Sequence, residues 1–396
     1  MQKFDLAIIG GGPAGMMAAI QAGKQGAHVV LLEKNKYLGV KLLITGKGRC
    51  NITNAENNQK ELIKKYGENG KFLFSTFSEF SNLDVIEFFN GLKLETKVER
   101  GNRVFPISDN AKDVLNALKK EMKKYNVEIK LNCEVKKIIH RDFHMDNHME
   151  KQVEKILLAN DEEIIANNYL IATGGKSYPG TGSTGDGYKW LKELGHTIVE
   201  PKPALTPILI KENWIKKLEG LSLKNVEISI WKGKKLDSRF GEALFTADGL
   251  SGPVILDMSK KIGENLTKNI ILKIDFKPAL TYPELDKRIQ KDFAGEKNKQ
   301  FKNSLDKLLP KKLIPIIIKL SKIDENKKVN EITKEERKNL LKLFKEFELN
   351  IKGLVGFEKA IVTSGGVNLK EIDPKTCQSK IISNLYLAGE ILDIDG

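Results

Sequence analysis

Cys50 sits between Arg49 and Asn51 in the stretch LLITGKGRCNITN, residues 42–54. A thiol so placed can act as a redox group, ligate a metal, or fill a tight loop as a small residue. The stretch is too polar and glycine-rich for a core strand and too irregular for a helix. A second chemistry-bearing pattern lies near the N-terminus. Gly10, Gly12 and Gly15 give G-x-G-x-x-G, and Glu33 follows 18 residues after Gly15. That spacing suits a dinucleotide: tight turn, close backbone approach to a pyrophosphate, helix packed on strand, and an acid for ribose hydroxyls.

The elements needed to position these residues are legible. Residues 6–9 form a short apolar run suited to a buried parallel strand, a helical pattern follows from Pro13 to about Lys24, and residues 28–32 read as a second buried strand ending at Glu33. The helix N-terminus then faces the phosphate charge. Residues 169–172 make another strand before Thr173-Gly174-Gly175, and residues 385–388 a further one before Gly389-Glu390. Many flavoproteins of the two-dinucleotide-fold type have such an ATG strand end, where the chain returns under FAD. Three strand ends meet on one carboxyl edge, where an open α/β sheet binds its ligand. FAD is therefore expected. TGSTGDG lacks the spacing of a second fingerprint, so NAD(P)H would have to approach as a transient donor.

Composition narrows the classes. A chain of 396 residues suggests two or three domains. The net charge of +14 is mostly lysine, in pairs such as Lys64-Lys65 and Lys216-Lys217 interleaved with acids. This reads as a solvated surface and argues against a nucleic-acid role. Cys50, Cys133 and Cys377 form no C-x-x-C, which argues against a disulfide framework, a zinc site and a dithiol reductase. Asp5 interrupts any signal-peptide run, and no apolar stretch is long enough for a membrane span, so a cytoplasmic protein is the default. His140, His144 and His148 have the spacing of a metal cluster, but their flanks suit a solvated hairpin tip, and no metal is expected.

These stretches, with NRVFPISDNAKDVL, ATGGKSYPGTGSTGDGY, GEALFTADGLSGPVIL, IVTSGGVNLKEIDPKTCQSK and LYLAGEILDIDG, resemble the BaiN/YhiN family of bacterial flavoproteins, NAD(P)/FAD-dependent oxidoreductases related to aminoacetone oxidase. The resemblance spans nearly the whole chain. Fingerprint and resemblance together give the expected cofactor contacts: Gly10, Gly12, Ala14, Gly15, Glu33 and Lys34; then Lys41, Gly48, Arg49, Cys50 and Asn51; then Val135 by its backbone at the adenine edge; then Thr173, Gly174, Gly389 and Glu390. Arg49 and loop N–H groups would meet the pyrophosphate or ribityl oxygens, Asn51 would lie near the isoalloxazine, and Cys50 would be a compact filler. Lys47 stands where the family usually has glycine. The family continues past LDIDG into a glycine-rich turn and a helix reaching the flavin. A chain ending at Gly396 is expected to hold the ADP half and grip the ring loosely.

The expected fold class is α/β: a two-dinucleotide-binding-type, Rossmann-like FAD domain over 1–195 and 351–396, interrupted by a β-barrel-like insert over 196–275 and a helical subdomain over 276–350. Residues 128–140 read as one strand, a helix starts at Ser108 or Asp109, and the helical pattern runs on through residues 340–353. The flavin carries the chemistry. Hydride would pass between flavin and a small organic or steroid-like substrate, either in NAD(P)H-driven C=C reduction or in oxygen-dependent amine oxidation. A tRNA-directed enzyme and a flavin-binding protein without turnover are the alternatives of another class. Tyr178 and Arg103 are the catalytic candidates, with Ser177 and Thr246 beside them; Tyr178 could instead pack over its loop. His196, in LGHTIV, reads as structural.

Overall fold

The computed structural model describes residues 3–145, 148–266 and 269–395. They divide into two compact units, Met1–Lys202 with Val362–Gly396, and Pro203–Ile361.

The first unit is built on a seven-stranded sheet. Strand β1 (Lys3–Ile9) lies parallel to β2 (Val29–Leu32) on one side and to Glu163–Ile171 on the other. Leu385–Leu387 adds a parallel strand beside Glu163–Ile171, and Glu128–Lys130 one beside β2. Ala7, Ile8, Val30 and Leu31 are fully buried, the mark of parallel strands covered on both faces. Each large apolar side chain so buried stabilises the sheet by about 1.5–3 kcal/mol. Helix α1 (Pro13–Lys24) starts with proline at a position where its missing N–H costs nothing, and buries Met16, Ala19, Ile20 and Gly23 at helical spacing.

Two sequence expectations need correction here. Residues 128–140 are not one strand: Glu128–Lys130 ends at a turn with Asn132 at φ 54°, and Val135–Met145 starts a long antiparallel hairpin with His148–Leu158. The helix after residue 106 is Ala111–Lys124, because the Asn110 side chain accepts from the Lys112 N–H while Asp109 sits at φ 51°.

The second unit is a closed six-stranded barrel in the order Ile208–Ile210, Gly249–Ser251, Lys234–Phe245, Ser222–Lys232, Ile271–Asp275 and Phe347–Leu354. Helices Tyr282–Ala294, Ile314–Ser321 and Lys334–Lys345 share one core with it. A capping box of Thr333 and Glu336 opens the last helix. That helix stops at Lys345, short of the expected end. Phe347, Leu349 and Ile351 are buried while the residues between them are exposed, so the segment has the period of a strand and closes the barrel. Among the described residues no helix is long and apolar enough to cross a membrane.

Candidate dinucleotide site

The three fingerprint glycines are needed for different reasons. Gly10 is at φ +109°, and a Cβ there would stand 2.4 Å from the Ala172 carbonyl oxygen. A Cβ on Gly15 would stand 1.9 Å from the Gly10 oxygen. Both are packing glycines. Gly12, at φ −81°, caps helix α1, and a Cβ there would meet nothing within 4 Å. Open space is thus kept at the positive end of a 12-residue helix. Beside it, Glu33 is only 8% exposed; its Oε2 accepts the Gly11 N–H and its Oε1 the Asn35 N–H, each at 2.8 Å. The carboxylate is oriented and keeps lone pairs for ribose hydroxyls. The residues present fit the ADP half of FAD.

Other expected contacts gather at the same edge. Lys34 Nζ pairs with Asp186 at 2.6 Å and donates to Thr184. Burial works against the Asp186 carboxylate, but the bonds from Lys34 and Thr184 outweigh it and hold its pKa below the ordinary value. A Cβ on Gly389 would lie 3.1 Å from the Cβ of Ala14, so the last strand end approaches the first turn of α1. Lys41 Nζ donates to Ser177 Oγ at 2.7 Å and to Glu390 Oε2 at 2.9 Å, and Ser177 Oγ donates to Glu390 Oε1 at 3.2 Å. Thr363 completes the network: its N–H donates to Glu390, and its Oγ1 accepts the N–H groups of Lys176 and Ser177. Sequence reading had Lys41, Ser177 and Glu390 separately and missed Thr363; no spacing ties it to residues 176–177. Gly174 lies in the same turn at φ +70°. The Thr173 hydroxyl packs against Gly187, and its buried Oγ1 has no hydrogen-bond partner. Tyr178 holds φ +50°, a left-handed conformation costly for a bulky residue and concentrated at functional sites.

The 45–50 loop is arranged differently. Gly46, Lys47, Gly48 and Cys50 all have φ between 56° and 84°. The conformation explains why glycine suits position 47. Arg49 pairs with Glu99 at 2.8 Å and Asp109 at 3.4 Å, and its guanidinium lies 4.0 Å from the centre of the Phe105 ring. Asn51, its amide turned so that nitrogen faces carbonyls, donates to Thr53 and Val104 at 3.1 and 3.2 Å. Both side chains are thus engaged with the Thr96–Glu99 and Arg103–Pro106 hairpin. Cys50 is 4% exposed, and burial pushes its thiol pKa up, the environment of an inert cysteine.

The segment leading to Val135 runs beside Glu33, with the Cys133 N–H donating to the Glu33 carbonyl at 2.9 Å and the Asn132 N–H to the Asn35 carbonyl at 3.1 Å. Arg103 is exposed and donates to the Arg100 carbonyl. Thr246 belongs to the second unit. Val135 is buried at the start of its strand. His196 is buried, with Nε2 2.8 Å from Ser379 Oγ, and burial lowers its pKa. His140 is exposed on the long hairpin, while the side chains of His144 and His148 lie outside the described residues. Among the described residues no cluster could hold a metal.

The HI0933-like protein Rossmann domain matches residues 4–396. The chain belongs to this family. As an HI0933-like, BaiN-type protein it is a FAD-dependent oxidoreductase. It is 31% identical over 397 residues to 3-dehydro-bile acid delta(4,6)-reductase of Clostridium scindens, covering 99% of this chain and 93% of the relative. It is 31% identical over 399 residues to ribosomal RNA dihydrouridine synthase of Haemophilus influenzae, covering 100% and 94%. Its fold resembles 3-ketosteroid delta1-dehydrogenase from Sterolibacterium denitrificans, with a TM-score of 0.52 at 11% identity, covering 99% of this chain and 94% of that one.

Proposed function

We propose that this HI0933-like protein reduces a carbon–carbon double bond conjugated to a carbonyl, drawing its electrons from NAD(P)H. One observation carries the reading: two full-length relatives are named for reactions that saturate such a bond, in a 3-oxo steroid and in uracil. FAD held at this site would accept a hydride from NAD(P)H, giving NAD(P)+, and once reduced would supply that hydride to the β-carbon while the α-carbon takes a proton. Gly12, the α1 N-terminus and Glu33 hold the dinucleotide. Lys41, Ser177 and Glu390 form a hydrogen-bonded chain that can hold or move a proton. Tyr178, adjacent to Ser177 and held in its strained conformation, is the proton donor to the α-carbon.

The substrate is a small steroid-like enone. A second substrate class within the same chemistry is uracil in RNA, favoured by the full-length relatives in Haemophilus influenzae and Escherichia coli, the latter 28% identical over 401 residues. The test mixes holoprotein anaerobically with NADH and with NADPH, then adds a 3-oxo-4,6-diene steroid or protein-free ribosomal RNA. The reading expects bleaching of the flavin band by one nucleotide and its return with substrate carrying two added hydrogens. Return only on admitting oxygen, with either substrate intact, would overturn it.

A further inference from the structure

The charge that reads from the sequence as an evenly solvated surface is divided unequally between the two units. Pro203–Ile361 carries 33 Lys plus Arg against 22 Asp plus Glu, an excess of 11. The longer first unit carries 33 against 30, an excess of 3. Such asymmetry marks a surface for a polyanion rather than general solubility. Within the second unit the local structure concentrates it. Lys216 and Lys217 lie on the short helical turn Asn213–Leu218, whose Ile215 and Leu218 are buried in the core. Lys311 and Lys312 precede helix Ile314–Ser321, whose first residues are buried with Leu313. Lys312 Nζ donates to the Glu219 carbonyl at 2.9 Å, which joins the two lysine pairs into one patch. All four lysines are exposed, and none makes an ion pair among the described residues. Some other cations of this unit are paired, Lys273 with Glu346 and Glu348, Lys327 with Glu336, Arg337 with Asp286. Exposed lysines such as Lys211, Lys224 and Lys319 also lack an ion pair among the described residues. What sets the four apart is that the Lys312–Glu219 bond gathers two pairs in one place. Against the four stands the exposed Glu219.

We propose that this lysine patch tracks the phosphate backbone of an RNA substrate. The proposal rests on the second substrate class of the proposed function, uracil in RNA, and not on the steroid-like enone. Lysines without acidic partners are the groups that release counterions when they meet phosphates, and each contact adds a salt-dependent increment to affinity.

The test uses full-length holoprotein and a labelled single-stranded, uridine-rich RNA oligonucleotide, with affinity measured across a salt series. The variant Lys216→Gln/Lys217→Gln/Lys311→Gln removes three patch charges. The control Lys119→Gln/Lys120→Gln/Lys123→Gln removes three exposed lysines from helix Ala111–Lys124 of the other unit. Three lost contacts should flatten the slope of log K against log salt by about 2 and weaken binding at least about tenfold at ~0.1 M salt. The control should bind as wild type does. Equal loss in both triple variants, absence of RNA binding, or patch-dependent binding to phosphatidylglycerol vesicles in place of RNA would each overturn the proposal. Flavin reduction by NAD(P)H is read separately in the same preparations. A failed RNA arm beside intact reduction sinks the patch alone, and failed reduction beside patch-dependent binding sinks the chemical reading alone.

Discussion

The 10–15 turn and the 45–50 loop are both glycine-rich and both follow an apolar stretch, yet their surroundings are opposite. The first ends in open space: nothing stands within 4 Å of a Cβ at Gly12, and a buried carboxylate is held beside it by the Gly11 N–H. The second is satisfied from within, with Arg49 on Glu99, Asp109 and Phe105, and Asn51 on Thr53 and Val104. A glycine pattern therefore reports what the backbone must do. It does not report where the polar side chains beside it will go.

Substitutions can sharpen or break that contrast. The largest effect belongs to Gly15→Ala, whose new methyl would meet the Gly10 oxygen at 1.9 Å; a loss of about 3 kcal/mol of stability is expected, read by chemical denaturation of the apoprotein. Glu33→Ala comes next. It removes an oriented, charged acceptor, worth ~1.5–3 kcal/mol, so FAD affinity should fall roughly tenfold to a hundredfold in a flavin titration. Cys50→Ser should keep both flavin and turnover; flavin kept with turnover lost would restore a redox role for Cys50. Arg49→Ala is smaller for the cofactor. It should lower the thermal midpoint of the apoprotein by loosening the loop from Glu99 and Phe105, while the FAD content of purified protein stays near wild type. A loss of FAD at unchanged midpoint would show that Arg49 serves the cofactor directly. Smallest is Lys47→Gly, which removes a left-handed lysine and should stabilise the apoprotein by up to about 1 kcal/mol.

Regular periodicity made much of the fold readable. β1, α1 and β2 show their strand, helix and strand patterns, and the barrel strands show alternation between glycine and proline breaks. Phe347–Leu354 was obscured because its alternation directly continues an amphipathic helix, so the helical period could be carried past Lys345. The turn between residues 130 and 135 was missed because it depends on Asn132 adopting a left-handed conformation, which no neighbouring glycine announces. At the site, glycines and Glu33 were legible because backbone geometry demands them at fixed spacing. The Lys41–Ser177–Glu390–Thr363 network was not, since it joins four distant segments through side chains, and only folding brings those together.

The most direct measurement compares wild-type protein with Gly12→Ala, recording FAD per chain after purification and the thermal midpoint of each apoprotein. A methyl at Gly12 fits the unliganded turn without contact, so the two apoproteins should unfold at the same temperature, while the variant should lose FAD because the methyl fills the space a pyrophosphate would take. Full FAD occupancy in Gly12→Ala at an unchanged midpoint would contradict the placement of the dinucleotide at the N-terminus of α1.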